Sequence, residues 1–265
     1  MQFLKKDGVA LAFEDNRSNL PPILFVHGWG CDHTALAPQA EFFRRSHRVV
    51  SVDLRGHGES DAPHQDYTMA AFADDLAWLC SELALVKPIV VGHSMGGNAT
   101  LELAARYPEL PASILLIDTV ILPPQDLLDA LQPLNEALGG PNYREAARKI
   151  LLAVCLPTDD EALKAEVIAS YLPKAPQHVL VSAFMNHVTD YDAAPAASAC
   201  RVPVAYIGAA NPLGDVVKFK ALTPHLVTAQ TLGSGHFSPL LVPDQVNAML
   251  SRFIALHSEP RYLPQ

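Results

Sequence analysis

Short apolar runs alternate along the chain with longer stretches in which apolar residues recur every three to four positions. The runs fall at 23–26, 49–52, 89–91, 114–117, 204–207 and 227–231, most of them rich in Val and Ile. Most are continuously apolar rather than alternating, the pattern of strands buried on both faces of a parallel sheet. Helical periodicity covers about 35–45, 69–83, 96–106 and 244–256. Strand–helix alternation of this kind predicts an α/β fold with a mostly parallel, doubly wound sheet.

The rhythm breaks after Asp118. Residues 120–199 turn helical and are punctuated by Pro123, Pro124, Pro133, Pro141 and Pro157, and strand character resumes only at Val202. The strands on either side need each other, so an insertion explains the break better than a second independent domain. The expected organisation is a core of residues 1–119 and 200–265, with 120–199 as a helical cap or lid placed over the strand ends.

Composition narrows the partners. Of 265 residues 49% are hydrophobic, which excludes disorder, and the formal net charge is −9. An acidic chain with no basic cluster beyond Arg44-Arg45 is a poor match for nucleic acid. The longest uncharged run, 221–243, contains Pro224, Gly233, Gly235, Pro239, His225 and His236, so no membrane span is expected. Residues 1–7 carry no apolar core of a secretory signal, and a cytoplasmic protein is expected. Cys31, Cys80, Cys155 and Cys200 are far apart, with neither C-x-x-C nor zinc spacing, and read as reduced thiols.

The strongest chemical signal is Gly92-His93-Ser94-Met95-Gly96-Gly97, placed directly after a strand and before a helix. A strand turning sharply into a helix lifts the serine above the sheet, and only small residues tolerate the crowding around it. The helix N-terminus aims backbone N–H groups at any negative charge that develops there. Three further motifs stand in order along the chain. They are His27-Gly28-Trp29-Gly30, Asp53-Leu54-Arg55-Gly56-His57-Gly58-Glu59-Ser60 and Gly233-Ser234-Gly235-His236-Phe237.

Together these motifs resemble the α/β-hydrolase superfamily, in its serine-esterase-like branch. The resemblance spans nearly the whole chain outside 120–199. It implies an α/β-hydrolase fold with Ser94 as nucleophile and His236 as base. It also implies an oxyanion hole made by the backbone N–H groups of Trp29 and Met95, with no metal and no organic cofactor.

The acid departs from the family pattern. The turn that usually carries it reads Gly208-Ala209-Ala210-Asn211, and asparagine supplies no negative charge for an imidazolium. Two aspartates are available. Asp118 ends the strand 114–117, a place where some family members carry the acid. Asp215 follows Asn211 by four residues and reads equally as a helix cap. A carboxylate at a strand end is held by the sheet, which favours Asp118.

Several other residues read as structural. His27, His57 and His93 are expected to brace loops, Asp53 and Arg55 to fix their turn, and Asp74-Asp75 to complement a helix dipole. Leu127, Leu131, Leu134, Leu151 and Leu152 fit either an acyl pocket or the core of the inserted helices, and Asn186-His187 sits where it could reach a substrate. The leading function is hydrolysis of a small, fairly apolar ester, thioester or amide by a Ser–His–Asp mechanism. Two alternatives use the same fold: C–C bond hydrolysis, and cofactor-independent ring-cleaving dioxygenation by a His–Asp pair. A non-catalytic ligand receptor is a third. The expected partner is a small-molecule substrate; the oligomeric state is not legible.

Overall fold

Asp7 and Gly8 both adopt left-handed backbone conformations (φ 52° and 85°), as the two-residue turn of a hairpin requires. They join β1 (Gln2–Lys6) to β2 (Val9–Asp15). This hairpin is absent from the strands expected from apolar runs: β1 alternates half-buried and exposed residues, while β2 is buried at Ala10–Phe13. The computed structural model describes residues 1–171 and 174–257.

Thereafter strands and helices alternate. They run β3 (Pro22–Val26), α1 (Ala37–Phe43), β4 (Arg48–Val52), α2 (Met69–Glu82), β5 (Ile89–His93), α3 (Met95–Arg106) and β6 (Ser113–Ile117). The helix expected at 35–45 is split. A tight turn of three-residue pitch, His33–Leu36, precedes α1, which begins where Pro38, lacking an N–H, costs nothing. Five helices then follow β6 among the described residues: α4 (Gln125–Leu138), α5 (Tyr143–Ala153), α6 (Glu161–Tyr171), α7 (Gln177–Phe184) and α8 (Ala194–Ala199). A π-helical turn, Met185–Thr189, continues α7. The chain returns to the sheet with β7 (Val204–Gly208), α9 (Val216–Leu222), β8 (Val227–Gln230), the short α10 (Ser238–Leu241) and α11 (Pro243–His257).

The eight strands form one sheet in the order β1-β2-β4-β3-β5-β6-β7-β8. Pairing is antiparallel for β1 with β2 and for β2 with β4, and parallel for every other pair. The central strands β5 and β6 are buried at every residue, which is why they read as unbroken apolar runs. Alternate side chains enter two cores. Val90, Ile114 and Leu116 join α2 and α3, while Val91, Leu115 and Ile117 join α1 and α11. This is the α/β-hydrolase architecture that the motifs imply.

The inserted helices rest on the first of these cores through Leu138, Ile150, Leu180 and Phe184. The dipole reading of Asp74 and Asp75 is corrected. Both lie beyond the first turn of α2, where Asp75 pairs with Arg55 and Asp74 with Arg106. The four cysteines are free thiols. Among the described residues no helix is long and apolar enough to cross a membrane. The uncharged run 221–243 instead holds β8, α10 and the loop between them.

Candidate active site

Register places two site residues side by side. His93 at the end of β5 pairs with Ile117 at the end of β6, so Ser94 and Asp118 each stand one residue past neighbouring strand ends. Ser94 N–H donates to the Ile117 carbonyl (2.9 Å), and Asp118 N–H donates to that of Ile207 (2.8 Å). Both residues have positive φ, 54° for Ser94 and 41° for Asp118. Such conformations cost an L-residue roughly 1–3 kcal/mol and persist only where the surroundings over-determine them. At Ser94 the surroundings are glycines. A Cβ on Gly96 would run into the Val26 and His27 carbonyls, and one on Gly28 would lie 3.1 Å from Ser94 Cβ. The turn 27–30 is therefore pressed against the serine.

His236 and Asp118 are joined by a hydrogen bond of 2.7 Å from Nδ1 to Oδ2. Asp118 is fully buried, and its other oxygen accepts from Ala209 N–H at 3.0 Å. A carboxylate only accepts, so Nδ1 carries the proton and Nε2 keeps its lone pair. Asn211 is exposed. Asp215, the other candidate acid, caps α9 by accepting from Lys218 N–H at 2.8 Å.

Ser94 and His236 face the same cavity. No hydrogen bond joins the Ser94 hydroxyl to His236 among the described residues; such contacts between nucleophile and base commonly tighten only in the substrate complex. Neither the Trp29 nor the Met95 backbone N–H donates to a protein group among the described residues, and both lie at the N-terminal approach to α3 or against it. The Trp29 indole is spoken for: Nε1–H donates to the Leu180 carbonyl (2.9 Å), and the ring packs edge-on against Phe184.

The loop carrying His236 is held both from the inserted segment and from the ends of the sheet strands. His236 N–H donates to the Val154 carbonyl (3.1 Å), and Gly235 N–H donates to Asp159 Oδ1 (2.9 Å). Val154 and Asp159 both belong to the inserted segment, and neither role has a local signal in the sequence. His93 Nε2–H donates to the His236 carbonyl (2.9 Å). Burial, then the nearby His236, push the His93 pKa down to about 3, so His93 is neutral and braces the loop. His27 braces too. Its Nδ1–H donates to the Gly28 carbonyl (2.8 Å), and its Nε2 accepts from Leu54 N–H (3.0 Å).

The cavity is small, about 100 Å³, and opens to solvent. Leu127, Leu131 and Leu151 line it, whereas Leu134 packs on the core. Among the described residues one cluster has metal-like spacing: Asp32, His33 and Asp53. Its atoms are already engaged. Asp53 accepts from His33 N–H (2.7 Å), His33 Nδ1 (2.8 Å) and Glu59 N–H (2.9 Å), and Asp32 from Thr34 N–H (2.9 Å) and Lys174 (2.5 Å). The cluster ties down the turns after β3 and β4, with the Asp53 hydrogen bond raising the His33 pKa.

The sequence profile of the alpha/beta hydrolase fold matches residues 21–155. The chain is 37% identical over 112 residues to a 2-(acetamidomethylene)succinate hydrolase of Mesorhizobium japonicum, covering 42% of this chain and 40% of the relative. It is 37% identical over 118 residues to a bifunctional esterase/perhydrolase of Acinetobacter calcoaceticus, covering 43% of each. An uncharacterized Mycobacterium bovis protein is 34% identical over 117 residues, which is 44% of this chain and only 34% of that protein. The matched stretch thus spans well under half of these curated relatives. Among solved structures, a thermophilic esterase from Thermogutta terrifontis superposes with a TM-score of 0.83 at 24% identity, covering 97% of this chain and 99% of the other. An enol-lactonase from Burkholderia xenovorans gives 0.85 at 20% identity, covering 96% and 100%. With sheet order, strand–turn–helix serine and profile in agreement, the chain belongs to the alpha/beta hydrolase fold family.

Proposed function

We propose that the chain is a cytoplasmic serine hydrolase of small, fairly apolar carboxylic esters, with residues 120–199 acting as a lid over the cavity. The observation that carries this reading is the buried His236–Asp118 hydrogen bond of 2.7 Å beside a strained serine, in a cavity with mostly apolar walls. Esterase relatives and structural neighbours support the ester as substrate class. Four free cysteines suit a reducing compartment.

Ser94 Oγ attacks the substrate carbonyl carbon while its proton passes to His236 Nε2. The imidazolium forms beside the Asp118 carboxylate, which stabilises it and fixes its tautomer. The Trp29 and Met95 N–H groups receive the oxyanion, whose stabilisation supplies about 3–4 kcal/mol per donor in comparable sites. Collapse expels the alcohol, protonated by His236. Water, deprotonated by the same nitrogen, then releases the acid and restores Ser94.

The test is release of p-nitrophenol from acetate and butyrate esters by the wild type and Ser94→Ala in parallel. Turnover that vanishes in Ser94→Ala is expected. No turnover, or equal turnover in both proteins, overturns the reading.

A further inference from the structure

Among the polar side chains facing the cavity, His187 has no part in the chemistry above. It sits on the π-helical turn Met185–Thr189, is 3% exposed and lines the cavity together with Ser94 and His236. Its Nδ1 lies 2.9 Å from the Ala183 carbonyl. A carbonyl only accepts, so Nδ1 carries the proton and Nε2 presents a lone pair. Nε2 bonds no protein group among the described residues. Burial holds the pKa down at about 4, so the ring stays neutral and Nε2 remains an acceptor at neutral pH.

The turn is held in place. Asn98, on α3 and wholly buried, donates from Nδ2 to the Val120 carbonyl (3.0 Å) and to the His187 carbonyl (3.3 Å). The imidazole is thus anchored through its backbone to the helix that follows Ser94, and through Nδ1 to α7. A π-helical turn is an unusual conformation that recurs at functional sites. An isolated acceptor in an apolar cavity costs free energy until a donor meets it.

We propose that His187 Nε2 is a specificity determinant that receives a hydrogen bond from the substrate, so that the preferred esters carry a hydroxyl or N–H donor besides the scissile carbonyl. This rests on the reading of the cavity as the substrate site. A site built to bond a substrate donor discriminates against an isostere lacking it, because the acceptor is then left unpaired. A methyl ether of the same substrate loses the donor and adds bulk, and is rejected as well.

The experiment measures binding by calorimetry to Ser94→Ala protein, where turnover does not interfere. Two series serve as probes: p-nitrophenyl hydroxybutyrate with its methyl ether and the plain butyrate, and a hydroxyphenyl butyrate with its methyl ether and the plain phenyl ester. At least one hydroxyl compound is expected to bind about tenfold or more tighter than both counterparts. Adding His187→Phe is expected to abolish the preference, while His187→Gln, whose Oε1 still accepts, retains part of it. Thermal unfolding of each variant checks the fold. No preference in either series, no binding at all, or a preference that survives His187→Phe overturns the proposal. Hydrolysis of the same esters by the wild type is followed separately. Selective binding without Ser94-dependent turnover would fault the hydrolase reading and leave the role of His187 standing.

Discussion

Two halves of the site are built differently. Ser94 and Asp118 grow out of adjacent, fully buried parallel strands whose register brings them together, and each is tied by its own N–H to the next strand. His236 sits on a loop after the exposed edge strand β8, and that loop hangs on the inserted segment through Val154 and Asp159. Ser94 and Asp118, the proposed nucleophile and acid, are therefore held by the sheet, whereas His236, the proposed base, is held by the inserted segment together with His93. In the mechanism proposed above, a change in the inserted helices would disturb proton transfer without touching the serine.

The comparison can be broken first at the sheet. Asp118→Asn keeps an oxygen for Ala209 N–H but removes the charge that His236 needs; kcat on p-nitrophenyl butyrate is expected to fall about 10⁴-fold. A fall under tenfold would show that the carboxylate is dispensable. At the insertion, Asp159→Asn loses one of the two acceptors now bonded to Gly235 N–H (2.9 Å) and Leu156 N–H (2.7 Å). Misplacing the base should lower kcat on the order of tenfold to a hundredfold with KM little changed. A rise in KM alone would mean that the insertion shapes binding and not the base.

Acid sensitivity offers a third comparison. Burial holds His57 and His93 at about 3 and His187 at about 4, against an ordinary histidine value of 6.5. Because the folded values lie below the unfolded one, the unfolded chain takes up protons first as pH falls. Stability is thus complete above about pH 6.5 and lost progressively below it, by up to about 1.4 kcal/mol per pH unit for each histidine. Urea unfolding at pH 7 and 5 measures the loss; His187→Phe should lessen it. A slope unchanged by that variant would place the sensitivity elsewhere. The smallest effect is expected at Asp215→Ala, which removes the α9 cap and costs about 1 kcal/mol of stability with kcat unchanged. A large loss of activity there would make Asp215 part of the site.

The same division explains how much was legible in the sequence. Strands β3 to β7 and the serine turn announce themselves because burial on both faces and steric crowding act on consecutive residues. The pair His236–Asp118 spans 118 positions; the strand-end position of Asp118 favoured it over Asp215 in the sequence, while the register that brings it to His236 is visible only in the structure. The β1–β2 hairpin carried readable signals in Asp7-Gly8 and in the apolar run 9–13 that follows it. Asp159 had none. It meets Gly235 across 76 positions through a backbone N–H, and backbone partners leave no trace in the pattern of side chains.

The central claim is that Ser94, activated by His236, is the group that becomes acylated. Its most direct test is mass spectrometry of the intact and digested protein after treatment with diisopropyl fluorophosphate. A single adduct on the peptide containing Ser94 is predicted, absent in Ser94→Ala and strongly slowed in His236→Ala. No adduct, or one on another residue, would contradict the account.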